Sequence, residues 1–268
     1  MESAVRALGV WSLFLWLGGS FQTIGGIHWT YEGSLGQDDW KAEYVHCGER
    51  LQSPIDIETD VVTFDPSLTP VLLQGHSEPD REEFTLSNNG HTGEGQMHVV
   101  HYNSEKYRNV SEAMSKEDGL LVLGILMEVG QDINPAYENI LRYLDSIAHA
   151  GQEVTIPSFD VQSLFPKQLD KYFTYSGSLT TPPCFQSVQW IVFHQPVRLS
   201  QSQFVALKTK LFSTGPDASR KQPFVNNFRK AQPLNDRKVR ASFSLGWAVN
   251  FRRAMRNLLK TLTTKFYQ

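Results

Sequence analysis

The chain has 268 residues, 40% hydrophobic and 20% charged, with 25 basic and 28 acidic side chains and a formal net charge of -3. That length suits one large domain or two small ones. The near balance of charge argues against a nucleic-acid partner and against a strongly acidic ligand.

The N-terminal stretch does not read as part of a fold. Arg6 precedes an apolar run over residues 7–17, and Gly18, Gly19 and Ser20 follow with the small side chains that suit a signal peptidase. The run is too short to span a bilayer comfortably. Small residues rather than a basic stop come after it, so a cleaved leader fits better than a signal anchor. Residues 1–20 are therefore expected to be a signal peptide and the protein to be secreted. Cys47 and Cys184 are the only cysteines. In an oxidising compartment an even count favours a bridge over two buried thiols. Closing so long a loop contributes roughly 4–5 kcal/mol in the chain-entropy model. Asn109-Val110-Ser111 is a glycosylation sequon, which agrees with the same route.

Residues 27–39 read as an aromatic-rich irregular segment, followed by a short proline-bounded strand at Gln52-Ser53-Pro54-Ile55-Asp56-Ile57. Residues 69–73 and 83–86 are further short strands. Met97, Val99, Val100 and Tyr102 favour a strand that His98 and His101 interrupt. Residues three apart in a strand point to opposite faces, so these two histidines cannot bind one metal ion together. A strand offering two ligands needs His-x-His, and none of the eight histidines forms such a pair.

Residues 120–129 are a continuous apolar run, suited to a strand buried on both faces. A helix opens at Pro135 and keeps helical spacing through Ile140, Leu141, Leu144 and Ile147. Residues 172–175 and 187–193 are strands, with 178–184 a proline-stiffened loop between them. Ser200 and Gln203 form a capping box for a second helix with Phe204, Leu207 and Leu211 on its apolar face. Many short strands with a few peripheral helices define an α+β class. In residues 246–268, Trp247, Phe251, Met255, Leu258, Leu259 and Leu262 share a helical face, with Arg252, Arg253, Arg256 and Lys260 around the rest. Such a basic amphipathic helix lies on an anionic membrane surface, docks a partner protein or covers an apolar patch of its own domain.

Several stretches in one order carry a resemblance. They are His28-Trp29-x-Tyr31, the Gln52–Ile57 segment, Asn88-Asn89-Gly90-His91, Met97-His98-Val99-Val100-His101-Tyr102-Asn103, and Gly119-Leu120-x-Val122-Leu123-Gly124. Downstream come Gly177-Ser178-Leu179-Thr180-Thr181-Pro182-Pro183-Cys184 and Asn227-Phe228-Arg229-x-x-Gln232-Pro233-Leu234. The sequence resembles the secreted α-carbonic anhydrases over about residues 28–243. The resemblance implies a single domain over residues 21–245, built on a large, mostly antiparallel twisted β-sheet with peripheral helices. It also implies a zinc lyase that interconverts carbon dioxide and bicarbonate. In that chemistry three histidines hold Zn²⁺ and the fourth position holds water, whose pKa the metal lowers to about 7.

By the same resemblance His98 matches the third zinc histidine and His91 the proton shuttle, a role that a near-neutral imidazole suits. Thr180 matches the threonine that orients the hydroxide, with Thr181 beside it. Val100, Val122, Leu179, Val188 and Trp190 match the apolar wall where carbon dioxide rests, and Tyr31 and Asn89 match residues that order proton-carrying waters. The resemblance is interrupted between residues 92 and 97, where the family carries several strands, including the His-x-His pair. Gln96 stands where the family has a glutamate behind the metal ligand. The expectations are therefore a carbonic anhydrase by descent, shortened at its metal centre, or else a non-catalytic relative acting as a secreted binding protein or an inactive shortened isoform.

Overall fold

The computed structural model describes residues 29–73, 83–89, 96–223 and 226–246, together with the backbone of 15–16. Its strands are β1 (Leu15–Trp16), β2 (Thr63–Phe64), β3 (Glu83–Ser87), β4 (Gln96–Tyr102), β5 (Leu120–Gly130), β6 (Glu153–Pro157), β7 (Tyr172–Gly177), β8 (Val188–Phe193), β9 (Val197–Ser200) and β10 (Arg240–Ala241). The α-helices are α1 (Trp40–Glu43), α2 (Val110–Ala113), α3 (Pro135–Leu141) and α4 (Gln201–Thr209). The main sheet runs β1-β4-β5-β8-β7-β10-β2, with β9 also on β5, and β3 and β6 form a separate pair. The architecture is α+β in one domain.

β5 is the strand on which the rest depends. It pairs antiparallel with β4 from Gln96↔Leu126 to Tyr102↔Leu120, and parallel with β8 from Leu120↔Val188 to Gly124↔Val192. Its far half leaves β8 and pairs parallel with β9, from Met127↔Val197 to Gly130↔Ser200. With β10 also parallel to β2, the sheet is mixed, where a mostly antiparallel one was expected. The apolar run is buried on both faces only as far as Ile125. Leu126 and Val129 are exposed, because β8 has ended beside them and β4 begins only at Gln96.

Alternation along the strands divides the core into two clusters, one on each face. Met97, Val99, Leu123, Ile125, Ile191 and Phe193 point one way, against α3 and the turn Leu144–Ile147. Val100, Leu120, Val122, Val188 and Trp190 point the other way, against Phe173, Tyr175 and Leu179. This is the period-two geometry of a strand whose two faces are both covered. Each fully buried branched side chain contributes about 1.5–3 kcal/mol relative to exposure.

Other segments depart from the sequence reading. The helical spacing over 135–147 is divided into α3 and a separate 3₁₀ turn. Residues 69–73 form no strand, although they are held, with Thr69 O accepting from Tyr172 Oη at 2.8 Å and Val71 N donating to Leu169 O. Residues 52–57 make only a single bridge, Ile55 to Gln232, because Ser53 and Gln52 are bonded to the loop after β7 and to Arg229. Ser200 and Gln203 form the expected capping box on α4.

Candidate active site

His98 sits on β4 between Met97 and Val99, and alternation turns it to the face that carries Val100, Val122 and Trp190. Its ring meets Trp190 edge-on with centroids 4.9 Å apart, and its Nε2 lies 3.1 Å from Gln96 Oε1. The indole and the strand around it desolvate the imidazole and hold its pKa down to about 4, so the ring is neutral at physiological pH. His101, three residues on, belongs to the opposite face as the strand geometry requires.

The five residues matched to the apolar wall come together. Val100, Val122, Leu179, Val188 and Trp190 belong to one buried cluster, drawn from β4, β5, β8 and the loop after β7. Thr180 and Thr181 follow Leu179 in that loop, Thr180 half-buried and Thr181 buried.

The loop is held from several sides. Ser53 and Ser178 bond reciprocally, Ser53 N donating to Ser178 Oγ at 2.9 Å and Ser178 N to Ser53 Oγ at 3.0 Å. Trp190 Nε1 donates to Ser178 O at 3.1 Å, and Leu179 N donates to Phe185 O at 3.0 Å. Cys184 N closes the turn on Thr181 O at 2.9 Å. The disulfide joins Cys184 to Cys47, with Cα atoms 4.9 Å apart. The bond expected from the even cysteine count is thus present, and it ties the threonine loop to the N-terminal segment.

Sequence reasoning gave no role to Arg229, which completes this support. Its buried guanidinium donates to Gln52 Oε1 at 2.8 Å, Ser53 O at 2.9 Å and Cys47 O at 3.1 Å, and lies over the Trp40 ring. Burial lowers its pKa to about 10. The signal was the set of polar residues Gln52, Ser53, Asn227 and Arg229, far apart in sequence and all buried in the fold.

Of the remaining matched residues, Tyr31 packs against the cluster of Trp29, Trp40 and the disulfide rather than the apolar wall. Tyr31 is half-buried between Trp29 and Trp40, at 5.4 and 5.7 Å between ring centroids, and burial raises its pKa. Asn89 is exposed just beyond β3. Asn109 is exposed and caps α2, its Oδ1 accepting from Glu112 N at 2.9 Å. His91, the leader apart from β1, and residues 247–268 of the C-terminal helix lie outside the described residues.

Zinc in a catalytic site needs three protein ligands with one position open. Among the described residues no group of three histidine, cysteine, aspartate or glutamate side chains converges to hold a metal ion. Among the described residues His98 faces an amide and an indole instead, and this donor set does not fit zinc. No helix among the described residues is long and apolar enough to cross a membrane.

The model of the eukaryotic-type carbonic anhydrase family matches residues 35–96 and 93–243. Human carbonic anhydrase 12 is 37% identical over 265 residues, covering 82% of this chain and 75% of the relative. Human carbonic anhydrase 6 is 34% identical over 280 residues, covering 87% and 88%. Mouse carbonic anhydrase 1 is 35% identical over 260 residues, covering 80% and 98%. The chain belongs to the eukaryotic-type carbonic anhydrase family. The two family matches meet at residues 93–96, directly before His98. In the first comparison, 82% of 268 residues is about 220, set against 265 aligned positions, which leaves about 45 positions opposite no residue of this chain.

Proposed function

We propose that this chain is a secreted carbonic-anhydrase scaffold without a zinc centre of its own. Zinc-dependent hydration of carbon dioxide to bicarbonate is the activity of its descent, and the shortened chain is non-catalytic. The donor set carries this reading. His98 has Gln96 and Trp190 as neighbours, the sequence holds no His-x-His pair, and the family match is interrupted beside His98. Ligand count dominates zinc affinity, and one imidazole does not hold the ion at ordinary free-metal levels.

Cleavage of residues 1–20, secretion and a glycan on Asn109 belong to the same proposal. The Cys47–Cys184 disulfide and the exposure of Asn109 support them, and the α2 cap uses Oδ1 whereas a glycan attaches through Nδ2. A membrane-surface or protein contact through residues 246–268 is the corresponding proposal for the C-terminal helix. Carbon dioxide and bicarbonate are the substrates of the family chemistry.

The test is zinc content and hydration rate on the purified secreted chain. After dialysis against trace zinc the protein should hold well under one equivalent, and hydration should run at the buffer rate. Stoichiometric zinc that survives a weak chelator, with a hydration rate lost in His98→Ala, would overturn the reading.

A further inference from the structure

We propose that the bond between Arg220 and Lys221 is a processing site for trypsin-like serine proteases, and that the cut chain persists as two docked pieces with no covalent link between them. The inference rests on the secretion reading only for where the chain meets such an enzyme, and it is independent of whether the chain binds zinc.

The described residues hold three Arg-Lys pairs, Arg220-Lys221, Arg229-Lys230 and Arg237-Lys238. A trypsin-like enzyme takes the charged side chain into a pocket of opposite charge and draws the flanking backbone into its cleft. The fold withholds two of the pairs. Arg229 is buried and commits its guanidinium to Gln52, Ser53 and Cys47, while Lys230 Nζ pairs with Asp38 at 2.8 Å. Arg237 donates to Leu234 O at 3.0 Å, Pro233 O at 2.8 Å and Ser176 O at 3.2 Å. Lys238 is exposed, but the next residue, Val239, is buried and its carbonyl accepts from Thr63 N at 2.9 Å. Arg220 and Lys221 are both exposed. Arg220 makes no hydrogen bond or ion pair among the described residues, and Lys221 lies only over the Phe212 ring, its Nζ 5.6 Å from the centroid.

The pair stands at the tip of a loop whose base is anchored. Phe212 and Pro223 bridge antiparallel, Ser213 N donates to Gln222 O at 2.9 Å, and Gln222 N donates to Thr214 Oγ1 at 3.2 Å. Phe212 is itself fixed to the body of the domain, its N donating to Ala148 O at 2.7 Å and its O accepting from Asn88 Nδ2 at 3.2 Å. Across the tip, Ala218 N donates to Gly215 O at 3.2 Å, and Pro216, Asp217 and Ser219 are exposed beside the basic pair. Exposed polar loop tips are where nicking concentrates, and this one opens without disturbing the core below it. Lys116, also exposed in a turn, is held at both backbone groups, by Ala113 O and Gly119 N.

The cut adds one water across the bond: hydroxyl goes to the Arg220 carbonyl carbon, hydrogen goes to the Lys221 nitrogen, and no other reactant is consumed. Cys47 and Cys184 both lie upstream, so the disulfide does not retain residues 221–268. Packing and hydrogen bonds do. Arg229 stays in its network, Gln232 N donates to Pro54 O at 2.7 Å, and β10 lies between β7 and β2. Val239 and Ala241 are buried there. The cut therefore places the basic C-terminal segment, residues 246–268, on a piece that leaves without any reduction step.

The experiment treats the full chain with trace trypsin and reads the fragments by intact mass. The earliest cut among the described residues should fall after Arg220. The two pieces should run together in native size exclusion and part in urea without reductant. Arg220→Gln combined with Lys221→Gln should slow that cut at least about a hundredfold, because the enzyme's charged pocket is left unpaired. Lys230→Gln and Lys238→Gln should leave its rate unchanged. An earlier cut at any other described basic residue overturns the proposal, as does an unchanged rate in the double variant. Pieces that part in native buffer overturn the docked form. Digestion does not depend on export, so a chain that animal cells retain defeats the secretion reading while the fragment masses still decide this one.

Discussion

Gly177 is the position where the smallest addition should do the most damage. It ends β7 and leads into the loop that carries Thr180. A Cβ built there would lie 2.2 Å from Ser53 Oγ, 2.9 Å from Tyr175 Cε2 and 3.0 Å from Trp190 Cδ1. Ser53 can turn its hydroxyl aside only by breaking its bonds to Ser178 N at 3.0 Å and Tyr175 Oη at 3.3 Å. A buried N–H left without a partner costs about 1–3 kcal/mol, and forcing one methyl into a packed core costs about 1–3 kcal/mol. Gly177→Ala should therefore lose about 3 kcal/mol in urea unfolding. Gly124→Ala is the control, because its Cβ would meet nothing closer than Val192 Cγ2 at 3.5 Å. There the gain in unfolded-state order sets the sign, and stability should change by under about 1 kcal/mol. If Gly177→Ala unfolds within 1 kcal/mol of the unmodified chain, the Ser53–Ser178 lock is not what holds the loop.

Two further outcomes are expected. Alkylation of native, unreduced protein should label neither Cys47 nor Cys184, and replacing both by alanine should cost up to about 5 kcal/mol, the chain-entropy value for their separation of 137 residues. His98, whose folded pKa of about 4 lies below the ordinary 6.5, should remain neutral by NMR down to pH 5. The unfolded chain takes up that proton first, so this residue lowers stability as pH falls from about 6.5 towards 4 and adds no slope above 6.5. An NMR midpoint near 6.5 would refute the burial argument.

Local pattern made the strands and helices of the core readable. The run at 120–129, the capping box at Ser200 and the opposed faces of His98 and His101 follow from period and side-chain chemistry. What lay beyond such patterns was tertiary. β9 is four residues running straight into α4, too short for a period, and it is a strand because β5 extends past β8 and needs a partner. Gln52 and Ser53 are bonded to Arg229 and Ser178, each more than a hundred positions away, so a segment that looks like a strand is held in irregular form instead. Residues 69–73 fail as a strand for a similar reason, because their backbone bonds go to Tyr172 and Leu169.

The apolar wall is bound up with the packing of the core. Val122, Leu179 and Val188 are at most 2% exposed and Trp190 is 5% exposed, all inside one core cluster. Each is required for packing whether or not carbon dioxide ever rests there, and losing one would leave a cavity worth several kcal/mol. Their match to the family therefore speaks for the fold. Thr180 is different, being half-buried and set in a loop that the disulfide, the Ser53–Ser178 pair and Arg229 hold from three sides. That support also serves the fold, since it joins the N-terminal segment to the sheet. The packed residues are therefore necessary to the fold with or without a metal, so their presence is no measure of activity, which zinc content and hydration rate decide.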